Sequence, residues 1–163
     1  MRSLTLKKTP ETAWKIPFSA GELGGIFSAM LEIAGLPQCY VELTLLDDSS
    51  MSELHTRSLD CRGPTNILSF PAPPSAIQTP EAETVEGGKN NNAFDEPRLL
   101  GWLALSVDTL LRECYLYGQE VDEHCLRLLA HGFAHLLGYD HGMPMEALCA
   151  SLEDAARKKL HSL

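Results

Sequence analysis

The chain has 163 residues, 44% of them hydrophobic and 21% charged, with a formal net charge of −9. This is the length and composition of one ordinary globular domain, and the sign of the charge argues mildly against a surface built for nonspecific nucleic-acid binding. No apolar run approaches the roughly 20 residues of a membrane span, and Glu11-Thr12-Ala13-Trp14-Lys15 interrupts any signal-peptide apolar region, so neither a membrane nor secretion is expected.

In chain order, Leu4 to Lys8 reads as a first strand. Ser19-Ala20-Gly21-Glu22 is a capping box opening an apolar-periodic helix that stops at Gly35. Tyr40 to Leu46 is a strand, and Ser50-Met51-Ser52-Glu53 has the form of a second capping box, starting a helix toward Asp60. Asn66 to Phe70 is a short strand ending at Pro71. The stretch 72–97 is rich in Pro, Gly, Asn and Glu and carries a net −4, so a loop inserted within the domain is expected there. A strand at Leu99 to Ser106 follows, then a helix at Val107 to Tyr117 closed by Gly118. The longest helix runs from Val121 to Leu137 and ends at Gly138, and Pro144 begins a last helix toward Leu160. The expected fold class is α+β: residues 1–163 as a single domain, one small mixed β-sheet covered by helices. Five scattered cysteines, without a C-x-x-C pair, fit a reducing compartment and a cytoplasmic location.

The chemistry concentrates between His131 and His141. Residues four apart on a helix share a face, so His131 and His135 can each reach one metal ion at about 2.0–2.1 Å. Gly138 suits the left-handed turn that would swing His141 back as a third nitrogen. Three neutral imidazoles favour a single Zn2+ ion with an open fourth position. Such an ion lowers the pKa of bound water and polarises a phosphoryl or carbonyl oxygen. In metallopeptidases of related spacing a glutamate follows the first histidine as general base; here that residue is Gly132. Gly132 is read as permitting close helix packing or substrate approach. Asp140 is a candidate catalytic residue with three readings: orienting a histidine, carrying a proton, or capping the turn. Ser69 is a candidate phosphate contact from a substrate groove. His124, seven residues before His131, reads as buried, His55 and His161 as surface residues, and Tyr139 as packed under the turn. Arg157-Lys158-Lys159 suits the negative end of a helix dipole.

His131 to His141 reads H-G-F-A-H-L-L-G-Y-D-H, and Pro64 to Pro71 reads P-T-N-I-L-S-F-P. In both, the sequence resembles the YbeY family, bacterial single-strand-specific endoribonucleases of ribosomal RNA maturation, over roughly Val41 to Leu160. A third family motif, L-G-D-I, is altered to Leu100-Gly101-Trp102-Leu103. Where the family carries an arginine five residues before the P-T-N proline, this chain has Leu59, flanked by Arg57 and Arg62. The resemblance implies a zincin-like metal-bearing helix and one zinc ion on the three histidines. It also implies hydrolysis of single-stranded or precursor ribosomal RNA by zinc-activated water, in association with ribosomal particles or ribosomal proteins. The competing expectations are a noncatalytic ribosome-assembly factor with a structural zinc and a metallopeptidase-like hydrolase.

Overall fold

The computed structural model describes residues 3–59, 63, 65–73 and 97–162. The elements run β1 (Leu4–Lys7), α1 (Pro10–Ala13), α2 (Ala20–Ile33), β2 (Cys39–Leu46), α3 (Asp48–Leu59), β3 (Ile67–Pro71), β4 (Arg98–Ser106), α4 (Val107–Tyr117), α5 (Val121–Leu136) and α6 (Met143–Leu160). Among the described residues the strands form one four-stranded sheet in the order β1-β2-β4-β3. β1, β2 and β4 are mutually parallel, while β3 lies antiparallel to β4 at the edge, with Ser69 opposite Leu103 and Phe70 opposite Trp102. The expected α+β class, a small mixed sheet with helices, is therefore the observed architecture.

The alternation of β2 explains the layering. Cys39, Val41, Leu43 and Leu45 are buried, whereas Tyr40, Glu42, Thr44 and Leu46 are half-buried. The first set joins the main core with Leu23, Ile26, Phe27 and Met30 of α2, Phe133 and Leu129 of α5, and Leu152 of α6. The second set belongs to the opposite face. There Met51 of α3 packs with Leu68 and Ala104, and Leu46, Leu54 and Phe70 border this smaller cluster. Successive strand residues point to opposite faces, so β3 serves both: Ile67 joins the main core and Leu68 the smaller one.

Local signals account for most element boundaries. Ser19 and Glu22 form the expected capping box of α2, with Glu22 N donating to Ser19 Oγ at 3.2 Å and Ser19 N to Glu22 Oε2 at 2.7 Å. The box expected at Ser50 is a correction. α3 starts at Asp48, and Ser50 N donates to Asp47 Oδ1 at 2.8 Å, so Asp47 caps the helix three residues earlier. An aspartate acceptor ahead of the first turn satisfies orphan N–H groups as well as a serine does. The short helix α1 was not expected; Thr9 and Thr12 cap one another and Pro10 supplies its first residue. Of the loop expected at 72–97, residues 74–96 lie outside the described residues. Ala72 continues the pairing beyond β3, its N–H donating to Leu100 O at 3.0 Å.

Candidate metal centre

Helix α5 brings the motif to the sheet. Leu128, Leu129, Phe133 and Leu136 are buried on its inner face, so the helix lies with its axis fixed against β3 and β4. Gly132 permits the approach. A Cβ there would stand 2.7 Å from Ile67 Cδ1, 3.1 Å from Leu103 Cδ2 and 3.2 Å from Ser69 Oγ. The close-packing expectation for Gly132 is what the contacts describe. A methyl at this position requires the side-chain ends of Ile67, Leu103 and Ser69 to give way or α5 to lift from β3.

His131 and His135 are half-buried and one helical turn apart, and their Nε2 atoms stand 3.2 Å from each other. Two nitrogens held at about 2.0–2.1 Å by one tetrahedral ion are about 3.3 Å apart, so the pair has the spacing of two vertices of one coordination tetrahedron. After α5, Gly138 takes the left-handed conformation at φ 85° and reverses the chain. His141 then returns: its ring centroid is 5.3 Å from that of His131 and 5.0 Å from that of His135. One ligand atom from each of the three lies within 4.8 Å of the others. The donor set, three imidazole nitrogens with no carboxylate or thiolate, fits zinc.

The outer nitrogens are also engaged. His135 Nδ1 lies 2.9 Å from the carbonyl oxygen of Tyr139, which suits the tautomer with its proton on Nδ1 and leaves the Nε2 lone pair toward His131. Tyr139 itself is 41% exposed. This corrects the expected packing under the turn; its backbone, not its ring, serves the histidines. Asp140 Oδ1 accepts from His141 N at 2.8 Å and lies 3.2 Å from His141 Nδ1. The His141 backbone N–H, then its side chain, holds the Asp140 carboxyl below the usual carboxylate range. Of the three readings of Asp140, turn capping and histidine orientation describe the same two contacts. Burial, reinforced by the two neighbouring imidazoles, holds His131 below the ordinary imidazole value, which favours the uncharged form that a metal requires.

The whole arrangement fits one family. The model of that family, Endoribonuclease YbeY, matches residues 14–162. The chain belongs to the YbeY family. It is 47% identical over 158 residues to Endoribonuclease YbeY of Nitratidesulfovibrio vulgaris, covering 97% of this chain and 94% of that one. To the Endoribonuclease YbeY of Oleidesulfovibrio alaskensis it is 41% identical over 145 residues, 88% of this chain and 86% of the relative. The fold is similar to that in the solution structure of TM1509 from Thermotoga maritima, with a TM-score of 0.56 at 16% identity, covering 97% and 93% of the two chains. YbeY proteins are hydrolases, named for internal cleavage of RNA.

Against the YbeY pattern, the other sequence candidates divide. Ser69 lies on β3 beside the metal helix, and its hydroxyl donates to Gly132 O at 3.0 Å. Its single proton thus straps β3 to α5. Trp102, in place of the family aspartate, projects to the face away from α5. It lines a groove of about 360 Å3 with Phe70, Leu54, Arg57, Thr44 and Glu53. That departure leaves the histidines untouched. Arg57 pairs with Glu53 at 2.6 Å on the exposed face of α3, and Leu59 is 57% exposed near the end of that helix. Arg62 lies outside the described residues. His124 is buried, as expected, and His161 is exposed, but His55 is half-buried with Nδ1 2.9 Å from Gly63 O. Arg157 does more than suit the dipole: its guanidinium binds Glu123 at 2.6 Å and Glu153 at 3.0 Å, fastening α6 to α5. Two contacts escaped the sequence reading, the Tyr139 carbonyl on His135 and the Glu113 carboxylate, which lies 2.7 Å from His124 Nε2. The first is a backbone atom, and the second lacks any local motif.

Proposed function

We propose that this protein is a zinc-dependent, single-strand-specific endoribonuclease of ribosomal RNA maturation and ribosome quality control, acting in the cytoplasm on precursor RNA in ribosomal particles. The observation that carries the reading is the convergence of three imidazole nitrogens beside β3 in a chain of the YbeY family. Among the described residues no helix is long and apolar enough to cross a membrane. Residues 1–163 are read as one domain, with 72–97 inserted between β3 and β4.

His131, His135 and His141 would hold the ion. When bound, zinc supplies a Lewis acid for a phosphoryl oxygen and acidifies a coordinated water. The protein's own part is orientation. Tyr139 O and Asp140 Oδ1 hold the rings of His135 and His141 so that the opposite nitrogens converge. Gly132 and Ser69 bring β3 to the side of His131, where it would border the RNA. Asp140 is the candidate for proton transfer: its side chain is 96% exposed, which leaves the carboxylate accessible beside the cluster. Gly132 supplies no general base, so the peptidase mechanism of similar histidine spacing has no support here.

The test is direct. The purified protein is analysed for bound metals and incubated with a single-stranded and a duplex RNA, with casein as a control. Zinc at one per chain, cleavage of the single strand alone, and loss of cleavage in His135→Ala are expected. Zinc with intact RNA in every assay would sink the nuclease and favour a zinc-braced assembly factor.

A further inference from the structure

Seven residues before His131, two helical turns back along α5, His124 is only 8% exposed, and its Nε2 lies 2.7 Å from Glu113 Oε2. Arg127 Nη1 lies 3.4 Å from His124 Nδ1, which fits the tautomer with its proton on Nε2, facing Glu113. The same carboxylate receives a second donor: Asn66 Nδ2 stands 3.3 Å from Oε1 and 3.4 Å from Oε2. Asn66 Oδ1 in turn accepts from Ile67 N, the first residue of β3, at 2.7 Å. Glu113 therefore joins three pieces of chain: α4, which carries it, α5 through His124, and the start of β3 through Asn66. None of these three side chains belongs to the histidine cluster.

The position of β3 makes the link consequential. As an edge strand it pairs with β4 on one side only. Among the described residues, two polar fastenings hold it toward α5. One is Asn66–Glu113–His124 at its start, and the other is Ser69 to Gly132 O, beside His131. The ladder to β4 sets the register of the strand, and the two fastenings add fixed points for its distance from the helix and its tilt. A carboxylate is the group for the first of these, since it only accepts and can serve two donors at once. Glutamine would turn an N–H2 toward one of them.

We infer that Glu113 is a positioning residue for RNA cleavage: held by His124, it sets through Asn66 the placement of β3 against the three histidines, and so the seating of the RNA strand between them. The inference rests on the endoribonuclease reading above. The role is positional because Glu113 touches the strand and helix that flank the histidines, not the histidines themselves.

The experiment uses the full-length zinc-loaded protein with Glu113→Gln, Asn66→Ala, their double variant and His124→Gln. It measures bound zinc, kcat and KM on a short single-stranded RNA, and hydrogen exchange of the β3 amides. Glu113→Gln and Asn66→Ala should each raise KM about tenfold, the size expected for losing a hydrogen bond to a charged group. kcat and zinc content should stay near wild type. The double variant should match the singles, because both cut one link, and β3 exchange should quicken in all three. His124→Gln, which retains an N–H donor for Glu113, should keep KM near the wild-type value. A fall in kcat that follows lost thermal stability at unchanged KM would mean that the cluster only braces the fold, and would overturn the inference. Unchanged β3 exchange would overturn it as well. Should Glu113→Gln fail to fold, Asn66→Ala, at a half-buried site, carries the same test. A wild-type protein that cleaves no RNA would overturn the nuclease reading and this inference together, whereas normal cleavage with unaltered KM would overturn this inference alone.

Discussion

Helix α5 carries the same residue type at both ends with opposite fates. Toward its C-terminus, His131 and His135 face each other across 3.2 Å, half-exposed, and no carboxylate joins their ligand group. Toward its N-terminus, His124 is buried and its Nε2 lies 2.7 Å from the Glu113 carboxylate. The difference is in what neighbouring chain supplies. Where α4 brings a carboxylate, the imidazole becomes a buried hydrogen-bond donor; where a glycine turn brings another imidazole, the nitrogens are left to a cation. A histidine's role is thus set by its partners' chemistry more than by its place on the helix.

Substitution at the two ends should separate them most clearly. His131→Ala removes one of three ligands and should abolish zinc retention, with cleavage falling by about 100-fold or more, read by elemental analysis and single-turnover assay. Zinc retained at full stoichiometry would mean that the ligand set is wrong. At the boundary between the regions, Gly132→Ala inserts a methyl into contacts of 2.7–3.2 Å with Ile67, Leu103 and Ser69. The overpacking should cost about 1–3 kcal/mol in urea unfolding, with weakened cleavage as β3 moves from His131. A neutral result would show that the helix sits less tightly on β3 than the contacts require.

His124→Leu should do the reverse of His131→Ala. Zinc stays bound, while Glu113, left with Asn66 as its donor in place of two, lowers stability by about 1–3 kcal/mol. If zinc were lost from this variant, the two ends of α5 could not be treated as separate sites. The smallest effect belongs to Asp140→Ala, whose side chain is 96% exposed. Loosening the His141 ring should reduce cleavage and zinc affinity together by about 10-fold. Loss of cleavage at full zinc affinity, with a changed pH profile, would instead place proton transfer on Asp140.

Much of the site was legible because it is local. Four-residue spacing on a helix, a glycine able to turn left-handed, and a third histidine after it lie within one short stretch, and backbone geometry alone brings them together. The alternation of β2 and the Ser19 capping box were legible for the same reason. Asp47 as the true cap of α3 was hidden by the equally good Ser50-to-Glu53 pattern beside it, a case of two adjacent signals in which tertiary fit selects one. Tyr139 was misread because an aromatic after a helix reads as a packing residue, whereas its carbonyl is what the turn uses.

The three histidines were determined by the sequence itself: their convergence needs only helix pitch and one turn, and so follows from spacing. Which strand stands beside them, and how it is held, only the tertiary structure decided. Asn66 and Glu113 are 47 residues apart, and Ser69 and Gly132 are 63 apart. Contacts across such separations depend on how the sheet is ordered and which faces are buried, and no local periodicity records either. The histidine cluster is a property of eleven consecutive residues, His131 to His141; its relation to β3 is a property of the fold.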